Sequence, residues 1–251
     1  MLTDNRNSVP VLAIIEARMG STRFPGKVFE RVHGKPILQI MIERLQFSSE
    51  ISSICIATST NPADNEIVKL AQEIGVLVFR GQEDNLLSRV TSAAVLHKFE
   101  VVATLTGDCP LLDPFLLDQM IRIFRINDCQ FLTNCHLRSY PDGMDIQIVE
   151  TSALIKANKS TLDPLEQEHT TLHIRRNPQV FKTIHIAAIS NEYNPDLGLT
   201  LDEREDLELI KAILFNFYPR LDFRLREVLE FLSANPRLTL LNSKVKRKGD
   251  T

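Results

Sequence analysis

The residue types best suited to binding phosphate lie in one short stretch near the N-terminus. Val11 to Ile15 is an apolar run rich in β-branched residues, as expected of a strand buried on both faces. The residues that follow are polar and basic, with glycines among them: Arg18, Gly20, Ser21, Thr22, Arg23, Gly26 and Lys27. A buried strand that leads into such a loop can surround an anion with backbone N–H groups and cations. The stretch predicts a phosphate-binding loop, and the alternative is a charged surface loop after a core strand.

This loop matches neither of the two best-known phosphate motifs. A P-loop has four residues between its glycines and Ser or Thr after its lysine, whereas five residues separate Gly20 from Gly26 and Val28 follows Lys27. The dinucleotide-binding pattern Gly-x-Gly-x-x-Gly is not found around Gly20 either. The loop is therefore expected to hold phosphate in another way.

Two aspartates that follow predicted strands are candidates for binding a divalent cation. Asp108 comes directly after the run 101–106, and Asp202 repeats the arrangement after 197–201. Ligands in open α/β sheets bind beyond the carboxyl ends of the strands, so Asp108 is placed where it can face such a crevice. Mg²⁺ suits this pair, because it takes one or two carboxylates and fills its remaining positions with water and substrate phosphates.

Each aspartate also has a structural alternative. Asp108 fits a turn before Pro110, in which its carboxylate would accept local N–H groups. Asp202 is followed three residues later by Glu205, which fits a capping box worth about 1 kcal/mol at the start of a helix. From spacing alone, both interpretations stay open.

The elements that would position these residues alternate between strand and helix as far as Gln130. Strands are predicted over 11–15, 53–58, 76–79 and 101–106, and helices over 36–45, 66–74, 86–99 and 113–127. This alternation indicates a parallel sheet with helices on both faces, an α/β fold.

Beyond Gln130 the regular alternation ends. Strands are predicted over 131–133, 144–149, 180–189 and 197–201, and helices over 152–158, 166–176, 203–216 and 225–232. Since no linker or repeat is found, we expect one domain over residues 1–251 with an irregular insertion at about 130–177. The basic tail, Lys244 to Lys248, is expected to be solvated.

The overall composition excludes some function classes. The chain has 251 residues, 43% of them hydrophobic, and a net charge of −3, so nothing global indicates binding to nucleic acid or membrane. Between Arg18 and Lys35, however, five basic residues accompany a single acid, Glu30. The four cysteines form no Cys-x-x-Cys pair and suggest no disulfide framework, and the apolar run after the polar N-terminus is too short for a signal peptide. A cytoplasmic protein is expected.

The stretch from Ala17 to Lys27 resembles the N-terminal loop of cytidylyltransferases that activate sugars with CTP. The likeness is strongest to the branch of the spore coat polysaccharide protein and the acylneuraminate-type synthetases, and 3-deoxy-manno-octulosonate cytidylyltransferase is a more distant relative. Four further segments resemble the family in the same order: Gly81 to Arg89, Thr106 to Asp113, Tyr140 to Gln147 with Glu166 to Arg176, and Gly198 to Leu207. The resemblance implies a three-layer α/β sandwich of the nucleotide-diphospho-sugar transferase type, Rossmann-like, with a mixed and mostly parallel sheet. It also implies a homodimer formed through the insertion.

The resemblance assigns roles to individual residues. It implies catalytic roles for Arg18, Arg23, Lys27 and Asp108, and Mg²⁺ binding by Asp108 and Asp202. It implies nucleotide binding by Ala17, Arg18, Met19, Gly20, Ser21, Arg23, Lys27, Asp84, Asn85, Arg89, Thr106 and Gly107. It implies acceptor binding by Asp145, Gln147, Glu168, His169 and Arg175, although Gln147 stands where that branch often has a carboxylate.

The expected function is therefore transfer of CMP from CTP to a sugar acid of the ulosonic or nonulosonic type, with release of pyrophosphate, for surface polysaccharide or glycoconjugate synthesis. One alternative is an enzyme of the same fold that uses another nucleotide or acceptor, including a glycosyltransferase. The other is a catalytically silent homologue that only binds nucleotide.

Overall fold

A seven-stranded sheet forms the centre of the molecule. The computed structural model describes residues 8–247. The sheet has the order β5-β4-β1-β6-β8-β7-β9. Its strands are β1 (Val11–Glu16), β4 (Ile51–Ser59), β5 (Leu77–Gly81), β6 (Val101–Thr106), β7 (Phe131–Thr133), β8 (Gln147–Glu150) and β9 (Thr183–His185). A separate two-stranded ribbon pairs β2 (Arg31–Val32) with β3 (Lys35–Pro36). Only β8 runs antiparallel to its neighbours in the large sheet within residues 8–247, so the predicted mixed, mostly parallel sheet is confirmed.

Helices cover both faces of this sheet. They are α1 (Ile37–Leu45), α2 (Asn65–Ile74), α3 (Leu86–Leu96), α4 (Pro114–Ile126), α5 (Thr151–Ser160), α6 (Pro164–Glu168), α7 (Leu172–Arg176), α8 (Arg204–Phe217) and α9 (Leu225–Ala234). Successive side chains of a strand point to opposite faces. Leu12 and Ile14 of β1 accordingly join the core with α3 and α5, whereas Ala13 and Ile15 join the core with α1, α4 and α8. The predicted three-layer α/β sandwich is confirmed.

The chain departs from the predicted elements at four places after Gln130. The strand expected over 180–189 is reduced to the three residues of β9, Thr183–His185. The strand expected over 197–201 is reduced to an isolated bridge between Asp142 and Gly198. The strand expected from Met144 begins only at Gln147. The helix expected over 166–176 is divided into α6 and α7 by His169–Thr171, because Thr170 and Thr171 turn their hydroxyl groups toward the sheet, onto Glu16 and Gln147.

Arg44 fixes the back of the loop that follows β6. Its guanidinium is fully buried and donates hydrogen bonds to the carbonyl oxygens of Leu111, Leu112, Leu221 and Phe223. It also lies 3.7 Å from the centre of the Phe223 ring. Backbone carbonyls that would otherwise be buried without donors are thereby satisfied, and α1 is tied to the loop that begins at Asp108.

The segment 130–177 carries β7, β8, α5, α6 and α7, and it widens the sheet beyond β6. Helix ends agree with local signals elsewhere: Gly75 ends α2 in the left-handed conformation, and Asp113 caps α4 through the N–H groups of Phe115 and Leu116. Across residues 8–247, no helix is long and apolar enough to cross a membrane.

Candidate active site

The candidate site is a cleft at the carboxyl ends of β1 and β6. The strand order reverses between these two strands, since β4 and β5 lie on one side of β1 and β6 on the other. Such a reversal point leaves a crevice for ligands in open α/β sheets. Glu16 and Thr106 are register partners at the two strand ends. The chain after β6 approaches the chain after β1 closely at Gly107, because a Cβ there would lie only 2.9 Å from the Cβ of Ala17.

The cleft brings together most of the residues predicted for nucleotide and metal. The predicted residues that line it are Ala17, Arg18, Gly20, Ser21, Arg23, Lys27, Arg89, Thr106, Asp108, Glu168, His169 and Asp202. Met19, Asp84, Asn85 and Gly107 are not among its lining residues. Thr22 of the predicted phosphate-binding loop lines it as well, and so do four residues to which no role was assigned, Glu16, Val28, Glu83 and Leu86.

The basic loop keeps its shape through hydrogen bonds at its centre. The carbonyl oxygen of Met19 accepts the N–H groups of Ser21 and Gly26, and Gly26 has the positive φ of 73° that favours glycine. The N–H of Met19 donates to Asp64 Oδ1 at 2.8 Å, while Asp64 Oδ2 accepts the hydroxyls of Thr58 and Ser59. Burial would raise the pKa of Asp64, but these hydrogen bonds hold it below its usual value. Met19 thus serves the loop through its backbone.

Lys27 joins the two aspartates predicted to bind metal. Its Nζ lies 2.6 Å from Asp108 Oδ2 and 3.1 Å from Asp202 Oδ1. Burial opposes the charge of Lys27, but the two carboxylates outweigh it and raise the pKa of the ammonium. Three groups far apart in sequence thus converge at one end of the cleft.

The other two cations of the loop face carboxylates across the cleft. Arg23 contacts Asp202 Oδ1 through Nη2 at 2.7 Å, and its Nη1 donates to the carbonyl oxygen of Lys246. Arg18 lies 3.7 Å from Glu83 Oε1 at the opposite side of the entrance. Since Glu83 also accepts a hydrogen bond from Asn61, it links the segment after β5 to the turn after β4.

The capping-box interpretation of Asp202 with Glu205 is wrong. Asp206 performs this role: its Oδ2 accepts the N–H groups of Asp202 and Glu203, both at 2.9 Å. The side chain of Asp202 is thereby left for Lys27 and Arg23. The structural alternative for Asp108 also fails to account for its carboxylate, which lies on Lys27.

The segment from Gly81 to Arg89 is organised by its own hydrogen bonds. Arg89 is buried, and its Nη1 donates to the carbonyl oxygens of Gln82 and Glu83, so it shapes the backbone at the edge of the cleft. Asn85 caps α3, with its Oδ1 accepting the N–H of Ser88 at 2.8 Å. The side-chain amide oxygen of Asn85, a residue predicted to bind the nucleotide, is therefore engaged in the cap.

A second, smaller cavity adjoins the cleft on the α3 face of the sheet. Four of the predicted acceptor residues line it, namely Asp145, Gln147, His169 and Arg175, whereas Glu168 lines only the cleft. Asp145 is held by Arg138 at 3.2 Å, and Gln147 accepts the hydroxyl of Thr171. The hydroxyl of Thr104 also faces this cavity, buried and without a hydrogen-bond partner among the described residues. The cavity thus offers both charged and neutral polar groups to a hydroxylated ligand.

Glu16 lies at the junction and lines both cavities, although no sequence pattern predicted a role for it. Its Oε1 accepts the hydroxyl of Thr170 at 2.6 Å. Burial raises the pKa of Glu16 to about 7, against the hydrogen bond from Thr170 and the positive charge of Arg89. A carboxyl group with a strongly shifted pKa in a cleft is typical of functional sites. Its partner Thr170 is 154 residues away, so no local sequence pattern reveals the contact between the two side chains.

The donor set at Asp108 and Asp202 suits a magnesium ion. The two carboxylates already share one cation, the ammonium of Lys27. No cluster of three or more His, Cys, Asp or Glu side chains with metal-site geometry occurs within residues 8–247. Two carboxylates without further protein ligands match Mg²⁺, which takes its other ligands from water and substrate phosphate.

The sheet order and the position of the cleft define an α/β protein of the nucleotidyltransferase class. A structure of CMP:2-keto-3-deoxy-manno-octonic acid synthetase with CTP shares this fold, with a TM-score of 0.63 at 18% identity over 82% of this chain and 99% of that one. The family model described as cytidylyltransferase matches residues 12–235, and the chain belongs to this family of enzymes.

Two relatives match over nearly the full length. A cytidylyltransferase from Leptospira borgpetersenii has a TM-score of 0.88 and 32% identity over 96% of this chain and 99% of that one. The spore coat polysaccharide biosynthesis protein SpsF of Bacillus subtilis is 33% identical over 90% of this chain and 95% of its own. The predicted resemblance to this branch is confirmed.

Proposed function

We propose that the chain transfers the cytidylyl group of CTP to a sugar acid of the ulosonic or nonulosonic type, releasing pyrophosphate. The product is a CMP-activated sugar for surface polysaccharide or glycoconjugate synthesis. One observation carries the proposal: Lys27 of the basic loop lies within 3.1 Å of both Asp108 and Asp202. The name of the Bacillus subtilis relative and the CTP bound by the synthetase of the same fold support the product class and the nucleotide.

The nucleotide is proposed to lie along the cleft with its triphosphate on the basic loop. Arg18, Arg23 and Lys27 supply positive charge, and the loop around Gly20 and Ser21 approaches the phosphates with its backbone. Ala17, Thr106 and Arg89 line the rest of the cleft, toward the ribose and base. In this arrangement Met19, Asp84, Asn85 and Gly107 support the cleft from behind.

The proposed reaction is an in-line displacement at the α-phosphorus. The acceptor hydroxyl oxygen forms the new P–O bond and loses its proton to solvent, while the bond from the α-phosphorus to the bridging oxygen breaks and pyrophosphate leaves. Held by Asp108 and Asp202, Mg²⁺ would neutralise charge on the α-phosphate. Arg18, Arg23 and Lys27 stabilise the leaving pyrophosphate. The chain therefore acts by positioning and by charge stabilisation.

The acceptor is proposed to occupy the second cavity. Arg175 and His169 are suited to a carboxylate of the sugar acid, and Asp145, Gln147 and Glu168 to its hydroxyl groups. The cavity opens to the cleft at Glu16 and Thr106, which line both. A hydroxyl of the bound acceptor can therefore reach the nucleotide.

A homodimer is proposed, formed through the region that includes the segment 130–177 of a single domain. Large apolar side chains are exposed there and in the adjoining loop 188–194, including Leu137, Leu162, Ile189 and Tyr193. The loop 188–194 contacts the segment 130–177 through a hydrogen bond from the N–H of Asn194 to the carbonyl oxygen of Ser139. The proposed compartment is the cytoplasm, with which the four buried cysteines agree, since none of them forms a disulfide within residues 8–247.

The decisive experiment measures pyrophosphate release with CTP, UTP, GTP and ATP, with and without Mg²⁺, over a panel of eight- and nine-carbon ulosonic acids and smaller polyol phosphates. We expect release with CTP, Mg²⁺ and at least one sugar acid. Asp108→Asn should reduce release more than tenfold with an unchanged circular dichroism spectrum, whereas the exposed Asp196→Asn should leave it unchanged. Preference for another nucleotide would contradict the proposal, and CTP binding without turnover across the panel would favour the silent homologue.

A further inference from the structure

The chain returns to the cleft after α9 through a short segment, Asn242–Arg247, here called the C-terminal strap. The strap is anchored by the buried side chain of Asn242, which donates to Gly198 O at 2.9 Å and to Asp206 Oδ1 at 2.8 Å. The carbonyl oxygen of Lys246 accepts a hydrogen bond from Arg23 at 3.1 Å. The strap lies beyond residues 12–235, which the family model matches. The expectation of a solvated tail is confirmed for the exposed side chains of Lys244 and Lys246 but wrong for Arg247, which pairs with a buried aspartate, and Lys248 lies outside the described residues.

Arg247 lies among three carboxylates at the catalytic end of the cleft. Its Nη2 is 2.6 Å from Asp206 Oδ1, its Nη1 is 3.8 Å from Asp202 Oδ2, and its Nε is 3.9 Å from Asp142 Oδ2. Asp206 is completely buried and would be destabilised by its own charge without this partner. Arg247 thus adds positive charge beside all three acids.

Asp202 is consequently fixed from two directions. Its Oδ1 contacts Lys27 and Arg23, and its Oδ2 faces Arg247. Its backbone is fixed as well, because the N–H of Asp202 donates to Asp206, the carboxylate that Arg247 neutralises. The orientation of the Asp202 carboxylate therefore depends on Arg247 through both its side chain and its main chain.

Gly198 provides the space in which this guanidinium lies. A Cβ at position 198 would overlap the Nη2 and Cζ atoms of Arg247. The far end of an arginine can move away from such a clash, so Gly198→Ala should displace Arg247 while the backbone stays in place. Position 198 therefore offers a second, independent way to remove the same contact.

We propose that Arg247 is a positioning residue, which orients Asp202 for a divalent cation bound together with a nucleoside triphosphate. This proposal rests on the proposed function, because it takes CTP as the nucleoside triphosphate that is bound together with the cation. Arg247 acts on Asp202 by its charge, at 3.8 Å, and through its hydrogen bond to Asp206. Outer partners behind a metal ligand typically account for about 10- to 100-fold in metal affinity or activity. The strap is in this sense part of the active site, although the side chain of Arg247 does not line the cleft.

The test measures the affinity for CTP by calorimetry, once with Mg²⁺ and once with EDTA. The readout is the affinity with Mg²⁺ divided by the affinity with EDTA. Arg247→Ala should lower this ratio about tenfold, and Arg247→Lys should recover part of it, because an ammonium keeps the charge but not the fork of donors. Gly198→Ala should lower the ratio as well. The double variant should equal Arg247→Ala within about twofold, because both changes remove one contact.

Arg237→Ala is the matched control, since Arg237 is exposed on the loop after α9. It should leave the ratio unchanged. A ratio in Arg247→Ala equal to the wild-type ratio, or higher, would overturn the proposal. Additive effects of Arg247→Ala and Gly198→Ala would overturn the claim that Gly198 acts through Arg247.

A measurement without nucleotide separates this proposal from the proposed function. In metal-free protein, backbone amides over 198–206 should exchange with deuterium at least fivefold faster in Arg247→Ala than in Arg237→Ala, because Asp206 loses the partner that holds it on the Asp202 and Glu203 amides. Unchanged exchange rates in Arg247→Ala would overturn the positioning role of Arg247, whatever the result of the CTP-binding experiment. Failure of the wild-type protein to bind CTP would contradict the proposed function alone, and the exchange rates would still decide the role of Arg247.

Discussion

Lys27 donates a 2.6 Å hydrogen bond to Asp108, although 81 residues separate the two in sequence. The contact joins the loop after β1 to the loop after β6, and Asp202 completes it from a third part of the chain. The ammonium of Lys27 thus bridges two carboxylates from different parts of the chain.

Replacing Lys27 with methionine should make the protein dependent on magnesium for stability. Without the ammonium the two carboxylates repel each other. We therefore expect the free energy of unfolding to fall by about 2 kcal/mol in EDTA and to recover in part in millimolar Mg²⁺. Turnover should fall more than tenfold. Thermal unfolding with and without Mg²⁺ checks this, with Lys35→Met as the control, since Lys35 pairs with Glu43 at the surface. Equal effects of Mg²⁺ on Lys27→Met and the control would contradict the prediction.

Glu16 should make the stability depend on pH in a defined window. Its pKa is about 7 in the folded protein against an ordinary value of 4.5, so between these values the folded protein keeps a proton that the unfolded chain has lost. The contribution of Glu16 to stability therefore falls as pH rises from 4.5 to 7 and is constant above.

Glu16→Gln cannot titrate, so its melting temperature relative to wild type should rise across the same window. Melting curves between pH 4.5 and 8 measure this difference. Glu208→Gln, at an exposed position of α8, should give a difference that does not vary with pH. A constant difference for Glu16→Gln would show that Glu16 titrates normally.

Arg44→Leu should be among the most destabilising single changes in the chain. It removes four hydrogen bonds from buried carbonyls and the contact with the Phe223 ring, so we expect a loss of roughly 3 kcal/mol or more. Chemical denaturation measures it. Arg226→Leu should cost less than about 1 kcal/mol, because its ion pair with Glu230 is exposed. Similar losses for the two variants would contradict the assigned role of Arg44.

Gly143→Ala should cost more than Gly34→Ala, although both glycines have positive φ, 104° and 78°. A Cβ on Gly34 has no heavy atom within 4 Å, so only backbone strain of about 1 kcal/mol is expected. A Cβ on Gly143 would lie 2.7 Å from Leu199 C and 2.8 Å from Thr200 N, which should add about 2 kcal/mol. The free energies of unfolding of the two variants test this difference, and equal values would rule out the close approach.

The residues that could be predicted from sequence are those whose role is visible within a few positions. The basic loop follows a β-branched run, and Asp108 follows another, so strand-end geometry places both at one edge of the sheet. Asp113 before Pro114 and Gly75 after α2 are helix-end signals that act locally, and in the structure Asp113 caps α4 and Gly75 ends α2.

The residues that escaped prediction depend on partners far away in the chain. Asp64 holds a loop 45 residues before it, and Arg247 pairs with an aspartate 41 residues before it. Even near Asp202, spacing favoured Glu205, whereas the three-dimensional path of the backbone selects Asp206. Tertiary contacts of this kind leave no periodic trace in a single sequence.

The reversed direction of β8 has a consequence for how the enzyme can evolve. Because β8 runs antiparallel to β6, residues that precede it, such as Asp145, lie at the functional edge, whereas for β1 and β6 the following residues lie there. Under the proposed function, most of the residues that would meet the acceptor thus lie in a different part of the chain from most of those that would meet the nucleotide. A duplicated gene can acquire a new acceptor through changes within 134–175, while Lys27, Asp108 and Asp202 are inherited unchanged.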